Sequence, residues 1–217
     1  MASRGDSGLR EHDGEGAPTA LLLIDLINDF DFEGGAALAR QVAAIAPRIA
    51  SLAVRLRRAG VPVIYCNDNF GRWRSDFREV VRRCAQNPAA ADIVARLQPQ
   101  PADYFVLKPR HSAFYATPLE LLLKHLGSSR VVLAGAATDN CIACTAADAH
   151  MREFEVCVPR DCVAARSAAR NRSVLAQLAD AFEVDTRTSA RITVAWARAP
   201  ARRSAVLRPR STRGGAR

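Results

Sequence analysis

At 217 residues, with 49% hydrophobic and 24% charged residues, the chain has the composition of one globular domain large enough to bury a substantial core. No run of 18 or more apolar residues argues for a membrane span, and six unevenly placed cysteines do not make a disulfide framework; they fit a reducing cytoplasm. The net charge of +9 raises nucleic acid as a partner, but seven arginines and no acid fall within residues 198–217, so the basicity belongs mostly to one Arg/Pro/Gly/Ser tail and implies no specific nucleic-acid site.

Residues 1–18 lack an apolar signal core and read as a disordered leader. "TALLLID" (19–25) is a continuous apolar run, the pattern of a strand buried on both faces. Leu38, Val42, Ile45, Ile49, Leu52 and Leu56 then recur at alternating steps of four and three, one face of a helix over 36–59. Pro47 predicts a kink or restart there, and Gly60 a stop. "VPVIYCN" (61–67) is the second strand, one or two helices occupy 75–97, and "DYFVLKP" (103–109) is the third strand. "TPLELLLKHLG" (117–127) carries a helix start signal, with Thr117 as N-cap, Pro118 at N1 and Glu120 completing a capping box. "RVVLAGAA" (130–137) is the fourth strand, followed by a helix from Asp139 to Arg152. "FEVCVPR" (154–160) is the fifth, followed by a helix over 165–182 and a short strand at 183–186.

Six strands alternating with helices predict a three-layer αβα, Rossmann-like, doubly wound and mainly parallel sheet in one domain over 19–195, with a disordered basic tail at 196–217. Ligands in such sheets sit beyond the carboxyl ends of the strands. Three chemically active residues fall there: Asp25, Lys108 and Cys141. Singly, each has a structural reading, as a loop cap, a solvated strand-end charge and a buried thiol. Jointly they supply a base, a cation that favours thiolate and a nucleophile at a helix start.

The stretches "LLLIDLINDF", "VLKPRHSAF" and "GAATDNCIACTAADA" resemble, in order, the isochorismatase-like cysteine hydrolases, a family that includes nicotinamidases, N-carbamoylsarcosine amidases, ureidoacrylate amidases and isochorismatases. The resemblance covers residues 19–187 and implies a catalytic triad of Asp25, Lys108 and Cys141. It also implies a non-proline cis peptide at Ala136–Ala137 and an oxyanion hole from the backbone N–H groups of Ala137 and Cys141. The implied activity is hydrolysis of a small amide, carbamoyl or ureido compound through a thioester, in a homo-oligomer (dimer or tetramer) with no cofactor.

The chain departs from the nicotinamidase pattern after the second strand. "YCNDNFGRWRSDF" offers Asp68 but no histidine, and the four histidines at 12, 111, 125 and 150 have no ligand spacing, so no metal site is expected. Phe70 and Trp73 would wall a substrate instead, with Arg72 or Arg74 meeting a carboxylate or phosphate; Phe30, His111, Phe114 and Tyr115 complete the expected pocket. As a loop, the same segment reads as solvated surface, with Trp73 against a neighbouring subunit. Neither G-x-G-x-x-G after the first strand nor a Walker A motif occurs, which argues against a dinucleotide or nucleotide site. Vinyl-ether hydrolysis, a thiol redox role for Cys141 and Cys144 (a C-x-x-C pair one helical turn apart), and a non-catalytic binding role remain as alternatives.

Overall fold

The computed structural model describes residues 18–73 and 76–201. At its centre lies β1 (Thr19–Ile24), whose six residues are all buried. Its parallel neighbours are β2 (Val63–Asp68) on one side and β4 (Arg130–Ala136) on the other. β3 (Tyr104–Lys108) extends the sheet beyond β2, and β5 (Glu155–Cys157) extends it beyond β4. A two-residue β6 (Val163–Ala164) pairs with the end of β4. The six strands run in the order β3-β2-β1-β4-β5, with β6 on β4, and every pairing is parallel.

Successive β1 side chains point to opposite faces, and both faces are covered. Leu21 and Leu23 pack with α1 (Gly35–Arg58), α2 (Phe77–Ala85) and α3 (Ala91–Arg96). Ala20, Leu22 and Ile24 pack with α4 (Leu119–His125), α5 (Ala143–Met151) and α6 (Ala168–Phe182). This is the αβα layering expected from the alternating pattern.

α1 is the one described helix long and apolar enough to cross a bilayer. Its apolar seam of Leu38, Val42, Ile49, Leu52 and Leu56 is instead core, and its outer face carries exposed Arg40 and Arg48. The helix passes through Pro47 without ending. That proline lies on the exposed side, where water can serve the carbonyl that loses its helical donor.

Several expected boundaries shift, each for a local reason. The Thr117 hydroxyl donates to the Ala113 carbonyl at 2.5 Å and accepts the Leu119 N–H at 3.3 Å, so it still reaches the start of α4 although Pro118 stands in the N-cap position. Glu120 does not complete a capping box; it pairs with Lys124 at 2.6 Å and Arg152 at 3.0 Å. α6 begins at Ala168, because the Ser167 hydroxyl accepts the Arg170 N–H as N-cap and leaves 163–164 free to join the sheet. Residues 183–186 form only an isolated bridge, Cys157 to Asp185, since Glu183 turns left-handed (φ 53°) at the end of α6.

Residues 196–201, expected as part of the tail, are packed against the domain. α7 (Val194–Arg198) is capped by Thr193, and the buried Arg130 donates to the carbonyls of Trp196 (2.9 Å), Ala199 (3.0 Å) and Pro200 (3.0 Å). The same guanidinium pairs with Glu155 at 2.7 Å and lies 4.3 Å from the centre of the Trp196 ring. Residues 196–201 therefore belong to the folded unit. The rest of the expected tail, 202–217, and residues 1–17 of the expected leader lie outside the described residues.

Gly135 is required where β4 meets β1. Its φ is +130°, and a Cβ there would lie 2.0 Å from the Ile24 carbonyl oxygen. Gly135→Ala is expected to cost about 2–4 kcal/mol of stability, because both the backbone conformation and the strand spacing oppose it. A urea midpoint within error of wild type would show that the two strands can part to admit the methyl.

Candidate active site

The strand order reverses between β2 and β4 around β1, so a crevice opens at the carboxyl ends of these strands. A cleft of about 650 Å³ lies there, lined among others by Asp25, Asp68, His111, Ala137 and Cys141. Each of the three candidate catalytic side chains comes from a different strand end. Asp25 follows β1, Lys108 closes β3, and Cys141 lies in the turn after β4.

Asp25 leaves β1 with φ 49°, a left-handed conformation that Asp tolerates better than most residues. Its Oδ1 accepts the Asp68 backbone N–H at 2.8 Å, which ties the end of β1 to the end of β2. Lys108 has no solvent exposure, and its Nζ lies 2.8 Å from Asp25 Oδ2 and 3.5 Å from Cys141 Sγ. The Arg110 carbonyl accepts from the same ammonium at 3.2 Å, and Asp68 Oδ2 lies 3.9 Å away. The three expected catalytic side chains thus meet around one buried ammonium.

Cys141 lies within a π-helical turn, Thr138–Ile142, that leads into α5. The Ala136–Ala137 peptide before it is cis. Thr138 Oγ1 bonds Asn171 Oδ1 at 2.5 Å, and Asp139 pairs with Arg170, so α6 holds the turn from its far side. Cys144 lies on the first turn of α5, exposed and outside the cleft lining, while Cys141 is half-buried within it.

Burial pushes the Asp25 carboxyl above its ordinary range, and Lys108, the Cys141 hydrogen bond and the Asp68 N–H only partly offset this. Burial also raises the Cys141 thiol; Asp25 raises it further, and Lys108 opposes both. For Lys108, burial favours the neutral amine, but Asp25, Cys141 and Asp68 hold the ammonium above its usual value. Burial and Asp25 thus favour the Cys141 thiol over the thiolate, and Lys108 opposes them. This differs from the expectation that the lysine and helix start would lower the thiol.

The other expected pocket residues divide. Phe70 lines the cleft with the Arg83 guanidinium 4.5 Å from its ring centre, and His111 lines it with Nδ1 3.9 Å from Cys141 Sγ. Phe30 does not reach it: Asn28 Oδ1 accepts the Phe30 N–H at 2.7 Å, and the ring packs into the core at 5% exposure. Phe114 is also core, tilted against Phe154, because Ser112 and Thr145 fasten this segment to α5. Arg72, Trp73 and Tyr115 are exposed and outside the cleft lining; Trp73 is 80% exposed. Arg74 lies outside the described residues. No group of three or more His, Cys, Asp or Glu suited to a metal occurs among the described residues.

Sequence reasoning missed Phe32, Asn140, Arg166 and Arg170, all of which line the cleft. The two arginines were assigned to a helix beginning at 165. Treating Ser167 as an N-cap would have placed Arg166 at a strand end instead.

Residues 19–190 match the family model described as Isochorismatase domain. The chain belongs to the isochorismatase family. It is 38% identical over 176 residues to the uncharacterized isochorismatase family protein YaaI of Bacillus subtilis, covering 81% of this chain and 97% of that one. It is 33% identical to maleamate amidohydrolase of Pseudomonas putida, over 70% of this chain and 75% of the relative. Among solved structures, N-carbamoylsarcosine amidase from Thermoplasma acidophilum is similar at a TM-score of 0.61 and 25% identity, over 80% of this chain and 98% of that one.

Asp25→Asn separates the influences on the thiol. It removes the neighbour that raises Cys141 and leaves the ammonium that lowers it. Alkylation of Cys141 by iodoacetamide, followed by peptide mass spectrometry across pH, is expected to shift its midpoint down by about one unit or more. An unmoved midpoint would mean that burial alone holds the proton on sulfur.

Proposed function

We propose that this family member is a metal-independent cysteine amidohydrolase that cleaves a C–N bond of a small amide, carbamoyl or ureido compound through a thioester on Cys141. The observation that carries this reading is the Lys108 ammonium, closed off from water and within reach of both Asp25 and the Cys141 sulfur. The amidohydrolases among the relatives support it as well.

In the proposed cycle Asp25 takes the proton from Cys141 as sulfur attacks the carbonyl carbon. The raised Asp25 carboxyl suits this work, since a base of moderate strength can also return the proton. Lys108 balances the negative charge that moves between carboxylate and sulfur. The backbone N–H groups of Ala137 and Cys141 hold the tetrahedral oxyanion. Asp25 then protonates the leaving nitrogen, and the C–N bond breaks to give the thioester. A water, deprotonated by Asp25, attacks the thioester, and the departing sulfur recovers its proton. Each proton that leaves Cys141 or water therefore passes through one carboxyl.

Ammonia release from a panel of small amides is expected from the wild type, with Cys141→Ala lower by about a thousandfold or more. Rapid quenching and mass spectrometry should find an acyl group on Cys141. Dialysis against a chelator is expected to leave the rate intact. Turnover by Cys141→Ala at the wild-type rate, or an adduct on Cys144 alone, would overturn the assignment.

A further inference from the structure

The Cys141 sulfur has two nitrogen groups beside it, in opposite settings. The Lys108 ammonium lies 3.5 Å away and has no solvent exposure. The His111 imidazole is exposed and lines the cleft, with Nδ1 3.9 Å from the same sulfur. The proposed cycle uses Lys108 and leaves His111 without a task. Yet the backbone of His111 is held from both sides. The carbonyl of Arg110, just before it, accepts from the Lys108 ammonium at 3.2 Å. Just after it, the Ser112 hydroxyl bonds Asp148, and the Ala113 N–H donates to Thr145 Oγ1 at 3.0 Å; both partners belong to α5. One neighbour of His111 is thus tied to the buried ammonium, and the next two to the helix that Cys141 leads into. A solvated loop residue needs no such fastening, whereas an imidazole that must keep its place beside sulfur does.

Resting on the amidohydrolase reading, we propose that His111 orients the water that hydrolyses the thioester, as a catalytic residue of the second half of the cycle alone. Once the leaving nitrogen has gone, the acyl carbon is bonded to Sγ, and water reaches it from the cleft that His111 lines. That water has two hydrogens. One is taken as a proton by the Asp25 carboxylate; the other is donated as a hydrogen bond to the neutral imidazole and stays on oxygen. With both hydrogens engaged, a lone pair of the water faces the acyl carbon. The C–O bond forms, the C–S bond breaks, the acid product departs, and the proton on Asp25 passes to sulfur. Alignment of this kind matters most where a weak and mobile nucleophile attacks. Sulfur, already fixed by the chain, does not require it.

The test separates the two half-reactions with p-nitrophenyl acetate, whose nitrophenolate leaves without a proton from the enzyme. In stopped flow, the first turnover reports acetylation of Cys141 and the steady rate reports its hydrolysis. His111→Phe is expected to keep the first-turnover rate within about twofold, to lower the steady rate by about 10- to 100-fold, and to accumulate acetyl-Cys141 in the mass spectrum. His111→Gln, whose amide oxygen still accepts a hydrogen bond, should lose less. Hydroxylamine, a stronger nucleophile than water, should restore turnover of His111→Phe and yield acetohydroxamic acid. First-turnover and steady rates that fall together, a steady rate equal to wild type in His111→Phe, or no acetyl group on Cys141 in any of the three proteins would overturn the role. A wild type that turns over the ester with the help of His111 yet releases ammonia from no amide would keep the role and sink the amidohydrolase reading.

Discussion

An ammonium ion denied water has to be surrounded by compensating groups, and Lys108 imposes that requirement on the ends of the central strands. Moving a charge into a protein interior is costly unless partners are fixed in place before it arrives. Asp25 supplies the opposite charge, the Arg110 carbonyl accepts a hydrogen bond, and the Cys141 sulfur completes the contact. These partners come from loops that follow β1, β3 and β4. The strand order and the close approach of β1 and β4 at Gly135 are what bring those loops together. Electrostatics and packing are thus one constraint here: the sheet must assemble for the lysine to be tolerated, and the lysine then holds the reactive pair in register.

That arrangement also explains a thiol that is harder to ionise than a free cysteine. A site built to hold thiolate would leave sulfur beside a cation with no competing anion. Here Asp25 shares the ammonium with sulfur, and its charge disfavours a second anion on sulfur. In the proposed cycle, attack by sulfur then waits on a carbonyl that can accept its electron pair.

Much of the architecture was legible because hydrophobic periodicity is set by burial. The all-apolar β1 and the 4-3-4-3-4 seam of α1 have few ways to satisfy their surfaces other than in a layered sheet. The candidate triad was legible because strand ends are where such folds place chemistry. Boundaries decided by single hydrogen bonds were not. Ser167 capping α6, Thr117 turning back to Ala113, and Arg130 reaching across to Trp196, Ala199 and Pro200 depend on partners near or far in sequence that composition does not reveal. The pocket walls were hardest, since aromatic residues in loops look alike until the turn angle is known. Phe30 turns into the core and Phe70 into the cleft, both from left-handed backbone with φ near 55°.

Arg130 opens β4, at the edge of the sheet opposite the cleft, and there it draws α7 and the residues up to Pro200 onto the body of the domain. Anchorage of residues 196–200 and the candidate cleft therefore occupy opposite edges of the same strand. Sequence drift at one edge can alter how firmly the end is fastened while the other retains its geometry. A label or support coupled at Ala201 would accordingly sit near the edge of the sheet opposite the candidate cleft.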